Sequence, residues 1–332
     1  MPTLGTTFFS LTPDWRQGAD AVVLLERVAA AGCGPAIEII GHQTWRGFPE
    51  VSPGDERGFR DTVDRLGLIP VALGVYTDLF RRPSRPLSDD EAFEDIRPQL
   101  AVASRLGFEL VRATLGMTPS LARRVAAEAE RLGIVLTFEV QGATPPDAPA
   151  VLDVLTLQEA TGSPYLGLTL DFSLTTPALP DAFGTALRRL DVSEPAVTAV
   201  YGAWQAEEPL GRRMQAAFAM VAGYPNEQAL TTLIAGIFGR AGRWRPADWA
   251  HVLPVVRHAH AKFWDPDVQS VREPHGAWLS ALGSAGYTGA VVSEWGGHEL
   301  LDRADADALT VTRAHHDLLA ELVTADRTSV TP

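Results

Sequence analysis

The last four strand-length apolar runs of the chain finish in or near side chains that bind metal ions. They are Thr137-Phe138-Glu139, Thr169-Leu170-Asp171, His258-Ala259-His260-Ala261-Lys262 and Val292-Ser293-Glu294. A carboxylate at the end of a buried strand is costly unless it is paired or holds a cation. One such group is readily a satisfied structural residue, but four on consecutive strands argue for a shared ligand. Three carboxylates and one imidazole make a hard, oxygen-rich donor set with room for water or substrate oxygens. That set suits Mn²⁺ or Mg²⁺ better than tetrahedral zinc, which calls for more His or Cys. Strand alternation sends His258 and His260 to the same face, so spacing alone does not choose between them. His260 is nearer the rim and is the better ligand, while His258, one pleat deeper, reads as a supporting or core histidine. Lys262 falls on that face too, and it is the one lysine among 28 basic residues.

The elements that must position these groups alternate regularly. Short strand-length runs begin near residues 4, 36, 69, 110, 134, 166, 255 and 290, and a helical segment follows each. Helix boundaries are written plainly: Gly32-Cys33-Gly34 ends one helix, and Ser88-Asp89-Asp90-Glu91 caps another with acidic residues where the helix dipole favours them. Eight β–α units predict an α/β fold of the closed (β/α)8 TIM-barrel type, in which reactive groups occupy the carboxyl ends of the strands. No Gly-x-Gly-x-x-Gly follows the first strand, which removes the dinucleotide-binding alternative. A single domain is expected over residues 1–325, with 326–332 as a disordered tail. Between strands six and seven a long helical insertion occupies about 172–254, where about 30 residues would suffice. Met214, Phe218 and Val221 share one helical face there, and Leu230, Leu233, Ile234 and Ile237 share another. Such faces suit a lid, an oligomer interface, or packing against the barrel wall.

Composition narrows the function. Of 332 residues, 46% are apolar and 21% charged, the proportions of a globular protein. The net charge of -13 disfavours nucleic acid and anionic membranes as partners. The single cysteine, Cys33, and the lack of a signal pattern or membrane-length apolar run point to a soluble, cytoplasmic protein.

The order Glu139, Asp171, His260, Glu294 resembles the ligand set of the xylose-isomerase-like barrels, which include sugar isomerases and epimerases. The His258-Ala259-His260-Ala261-Lys262 run and the Gly286-Tyr287-Thr288-Gly289 turn are similar to that family's His-x-His-x-Lys strand and Gly-Tyr-x-Gly turn. The resemblance implies that Glu139, Asp171, His260 and Glu294 hold a divalent metal, usually manganese, with magnesium or cobalt as substitutes. Gln141 stands where many relatives carry a histidine, and it retains only a hydrogen-bonding role toward substrate. Leu174 and Pro266 replace the His and Arg of ketose epimerases. The long insertion, the Gly41-His42-Gln43-Thr44-Trp45-Arg46-Gly47-Phe48-Pro49 segment and Ser293-Glu294-Trp295 look similar to the alpha subunits of bacterial C-glycoside deglycosidases.

That resemblance implies a metal-dependent lyase acting on a 3-oxo-glycoside through proton abstraction beside a carbonyl. It also implies a small β-sandwich partner subunit, with a homo-oligomer as the other arrangement. The alternatives are an isomerase or epimerase of a free keto sugar and a non-catalytic sugar-binding barrel. Lys262 would neutralise negative charge on the sugar or, alternatively, pair with the metal carboxylates. His42 and His298 are the proton-transfer candidates. Trp45 and Trp295 are placed to stack on a sugar or aglycone, or to pack. Arg112 would bind a hydroxyl or ligand carboxylate, or form a structural ion pair.

Overall fold

Eight parallel strands close on themselves in chain order: β1 (Thr3–Thr7), β2 (Ala36–Ile40), β3 (Ile69–Gly74), β4 (Leu110–Thr114), β5 (Val135–Val140), β6 (Leu166–Asp171), β7 (Val256–Phe263) and β8 (Ala290–Trp295). The computed structural model describes residues 1–82 and 84–330, with side chains as far as 325. Strands buried on both faces need apolar side chains in nearly every position, which is why unbroken apolar runs marked them. The first run is the exception in length: after Thr7 the chain tightens into a 3-10 turn, Phe8–Leu11, which carries Phe8 and Phe9 across the barrel rim.

The helices between strands begin and end on local chemistry. The helix Asp89–Leu106 opens on a reciprocal cap, in which Ser88 Oγ accepts from the Glu91 N–H and Glu91 Oε2 accepts from the Ser88 N–H. It stops at Gly107, whose φ of 81° a side chain would strain.

Inside the barrel the layers change character along the axis. Ala36, Ala290 and Val292 pack as a small apolar floor. Above them the Thr137 and Thr169 hydroxyls share a hydrogen bond of 2.8 Å. Register then sets the next layer level, with Asp171 beside His260 across β6–β7 and Lys262 beside Glu294 across β7–β8.

The insertion between β6 and β7 carries four α-helices, Asp181–Arg189, Glu194–Gln205, Leu210–Val221 and Glu227–Arg240. They surround a hydrophobic core of their own, built on Phe183, Trp204, Val221, Leu230, Ile234 and Ile237. Trp264 and Leu300, just beyond β7 and β8, join that core and tie the insertion to the barrel. Both apolar faces read from the sequence are therefore closed within the chain, with Met214, Phe218 and Leu233 half-buried at the edge. The last helix, Ala308–Val330, covers most of the stretch expected to be a tail, and residues 331–332 lie outside the described residues. No helix among the described residues is long and apolar enough to cross a membrane.

Candidate metal centre and active site

Glu139, Asp171, His260 and Glu294 converge at the carboxyl ends of β5 to β8, with one donor atom from each lying within 4.8 Å of all the others. All four are buried. His260 Nδ1 is 3.0 Å from Glu139 Oε1 and 2.8 Å from Glu294 Oε2. Asp171 Oδ1 accepts the backbone N–H of Ser173 at 2.8 Å, whereas Asp171 Oδ2 is enclosed without a hydrogen-bond partner. Burial pushes Asp171 up to about 7, with Lys262 opposing the rise. Bare carboxylate oxygens facing one another cost free energy that a divalent cation offsets, and the hard donors fit such an ion.

Behind this group stands a residue that motif reasoning passed over. Glu38, on β2, is fully buried and accepts from His260 Nε2 at 2.5 Å and from His258 Nε2 at 2.8 Å. Burial pushes its carboxyl up, but His260 and Arg112 outweigh that and hold it well below the usual carboxylate range. With Nε2 turned to Glu38, His260 presents Nδ1 to the ligand cluster, the orientation that a carboxylate behind a ligating histidine enforces. His258 is the supporting histidine expected of its deeper position. The clue to Glu38 was a lone carboxylate inside the apolar run Ala36-Ile37-Glu38-Ile39-Ile40.

Arg112 adopts the ion-pair role. Its Nε donates to Glu38 Oε1 and its Nη1 to Glu139 Oε2, both at 2.8 Å, so the guanidinium locks a supporting carboxylate to a ligating one. Burial opposes its charge, but Glu139 and Glu38 raise its pKa above the ordinary arginine value.

Lys262 Nζ donates to Glu294 Oε1 at 2.8 Å and sits 4.7 Å over the ring of Phe9. Burial opposes the ammonium, but Glu294 and Asp171 overcome it and raise its pKa, so the group is a fixed cation rather than a base. Phe9 also meets His298, whose ring centroid lies 4.8 Å from its own. His298 is half-buried, and neither ring nitrogen makes a well-formed hydrogen bond. Burial lowers its pKa, leaving a neutral imidazole beside the Phe9 backbone. It lines an open cleft of about 970 Å³ between the insertion, at Leu233 and Arg240, and the β8 exit, at Leu300.

A buried chain of hydrogen bonds fixes the strands that carry these groups. His275 Nε2 must donate to the Lys262 carbonyl, which can only accept, at 3.1 Å. Its Nδ1 then accepts from His315 Nε2 at 3.0 Å, and His315 Nδ1 accepts from Ser293 Oγ at 2.9 Å. Burial drives His275 down to about 3 and His315 well below its ordinary value, so both rings stay neutral and each tautomer is determined.

The remaining sequence candidates fall elsewhere. His42 is exposed on the turn Gly41–Gln43, with its ring edge-on to Phe48. Trp45 packs against Phe48 and against Phe59 of the helix Pro53–Leu66. Trp295 is likewise a packing residue, 1% exposed, with Nε1 donating to the Trp264 carbonyl at 3.1 Å and its ring edge-on to His298. Gln141 is half-buried two residues beyond Glu139, and its carbonyl holds Thr144 Oγ1 at 2.7 Å.

A closed eight-stranded barrel with a carboxylate–imidazole cluster at its strand ends defines a (β/α)8 barrel with a candidate metal centre. Among solved structures, the chain is similar in fold to a xylose isomerase-like TIM barrel protein from Mycobacterium smegmatis in complex with magnesium, with a TM-score of 0.51 at 14% identity over 98% of each chain. No protein-family model matches the chain. It is 31% identical over 312 residues to the 3'-dehydrocarminate deglycosidase alpha subunit of a Microbacterium species, covering 90% of this chain and 89% of the relative. It is 32% identical over 315 residues to a C-glycoside deglycosidase alpha subunit of Arthrobacter globiformis, covering 89% and 84%. The chain belongs to the family of C-glycoside deglycosidase alpha subunits.

Proposed function

We propose that this chain cleaves a 3-oxo-glycoside by elimination, as a carbon–carbon lyase of the C-glycoside deglycosidase kind. The observation that carries the reading is the convergence of Glu139, Asp171, His260 and Glu294 beside a fixed Lys262 ammonium in a chain of this family. A C-glycosidic bond has no acetal oxygen to protonate, so hydrolysis by a pair of carboxylates has no purchase on it. Elimination does. A base removes the proton from the carbon between the sugar carbonyl and the glycosidic carbon. The electron pair left behind forms a double bond to the glycosidic carbon as the carbon–carbon bond breaks, and the aglycone departs with the bonding pair and takes up a proton.

Glu139, Asp171, His260 and Glu294 would hold Mn²⁺ or Mg²⁺, which supplies Lewis acidity toward neighbouring sugar oxygens. Lys262 has donors left after pairing with Glu294 and contributes positive charge where the sugar oxygen becomes negative. His298, neutral and half-buried at the mouth, is the proposed proton acceptor; exposed His42 lacks comparable enclosure. Arg112 and Glu38 keep the ligands in place, and Gln141 is left to hydrogen-bond a sugar hydroxyl. The relatives are named alpha subunits, which supports a second subunit completing the enzyme, in this proposal a small β-sandwich.

The test supplies Mn²⁺ and a 3-oxo C-glycoside deuterated beside the carbonyl. Release of aglycone with a slowed rate, or with loss of label to solvent, supports elimination. An unchanged rate with the label retained and solvent oxygen at the anomeric carbon replaces it with hydrolysis. Label exchange without aglycone release replaces it with epimerisation.

A further inference from the structure

A second cleft, of about 360 Å³, opens between the insertion and the barrel, lined by Ala143, Glu207, Glu208, Arg213, Arg243 and Trp244. Ala143 follows β5, and the Trp244 N–H donates to the carbonyl of Leu174 just past β6. The cleft therefore adjoins the strands that carry Glu139 and Asp171.

Arg213 is nine-tenths buried, yet no carboxylate pairs with it among the described residues. Its Nη1 donates to the Trp204 carbonyl at 3.2 Å and its guanidinium lies 4.7 Å over the Trp204 ring, while Nε is enclosed with no partner. Arg243 donates from Nη1 to the carbonyls of Trp204 and Ala206, and from Nη2 to Glu207 at 3.0 Å. Those carbonyls close the helix Glu194–Gln205, and a helix end carries only about half an electron of negative charge, short of two cations. Burial and the nearby Arg243 press the Arg213 guanidinium below its ordinary value. Glu207 is 93% exposed, so it is a weakly held counterion.

The helix Leu210–Val221 starts at the same cleft. Its N-cap is Pro209, and no side chain caps the first turn. The positive dipole end of that helix shares the cleft with the two arginines, an arrangement that disfavours a further cation and favours an anion. We propose that this cleft binds a small oxyanion, a carboxylate or phosphate-type group, clamped between Arg213 and Arg243 at the start of the helix Leu210–Val221. Guanidinium groups grip such oxyanions through paired N–H donors, and Arg213 and Arg243 both line the cleft.

The probe is inorganic sulfate, titrated calorimetrically into the full chain against chloride at constant ionic strength. Saturable binding is expected, weakened about ten-fold by Arg213→Met and again by Arg243→Met, and unaffected by Arg245→Met on the exposed surface. Glu207→Gln, a change at an exposed position, is expected to tighten binding by removing the competing carboxylate. Binding that fails to saturate, or that is unchanged in both Arg213→Met and Arg243→Met, overturns the proposal, as does weaker binding in Glu207→Gln. Sulfate that raises KM for substrate identifies the cleft as the seat of a carboxylate on the substrate. Sulfate that binds without touching KM identifies a separate effector; both results retain the site. Sulfate binding is read without turnover, so it stands or falls apart from the proposed reaction.

Discussion

Glu38 Oε2 lies 2.5 Å from His260 Nε2, on the opposite side of the imidazole from Glu139 and Glu294. The ring is thus oriented from behind by a residue three strands away around the barrel. Glu38→Gln keeps the shape but not the charge, and metal affinity is expected to fall about 10–100-fold. Titration against a competing chelator measures it, with circular dichroism confirming the fold. Unchanged affinity would remove Glu38 from the centre.

Lys262→Met removes a charge that the proposed reaction needs most at its transition state. The expected result is a fall in kcat of about 10²–10³-fold with little change in KM. A rise in KM at constant kcat would instead place Lys262 in ground-state binding.

His298 and His42 separate by environment. His298→Asn is expected to lower kcat by about 10²–10⁴-fold, the range for losing a general base, whereas His42→Asn leaves kcat nearly unchanged. The reverse ranking, from initial rates on the 3-oxo-glycoside, would move the base to the β2 turn.

Acid should loosen the barrel through its neutral imidazole pair. His275 is held down to about 3 and His315 is also lowered, against an ordinary value of 6.5. Below 6.5 the unfolded chain takes up protons that the folded chain refuses, so stability falls as pH drops from there toward 3. The slope approaches about 2.7 kcal/mol per pH unit for two groups. Urea midpoints between pH 7 and 5 read it directly, and a flat profile would show that the two rings do not stay neutral.

Because the insertion's apolar faces close within one chain, Ile237→Ala should cost stability, about 2–5 kcal/mol, rather than alter the number of subunits. Thermal unfolding and light scattering on the same sample distinguish the outcomes. A changed mass with unchanged melting would make Ile237 an interface residue.

What could be read from the sequence follows from what each pattern encodes. A strand buried on both faces writes its whole length as apolar residues, so β2 to β8 stood out, as did the ligands that interrupt the ends of β5 to β8. Glu38 was missed because it lies in mid-strand, away from any strand end, and its partners His258 and His260 are more than 200 positions distant. Trp45 and Trp295 carried no mark telling a ligand platform from a packing slab; only the rings around them decide. The insertion's two stripes were evident, but their covering was not, since each stripe closes against helices whose crossing the periodicity does not encode. Lys262 showed itself by its rarity and by sharing a strand face with His260.

The insertion's apolar core takes in Trp264 and Leu300, each just past a strand that bears a ligand, and ion pairs such as Arg240–Glu299 follow the same edge. That seam divides the molecule into a conservative part and a negotiable one. Helices above it can be recut without moving the strands that carry the donor atoms.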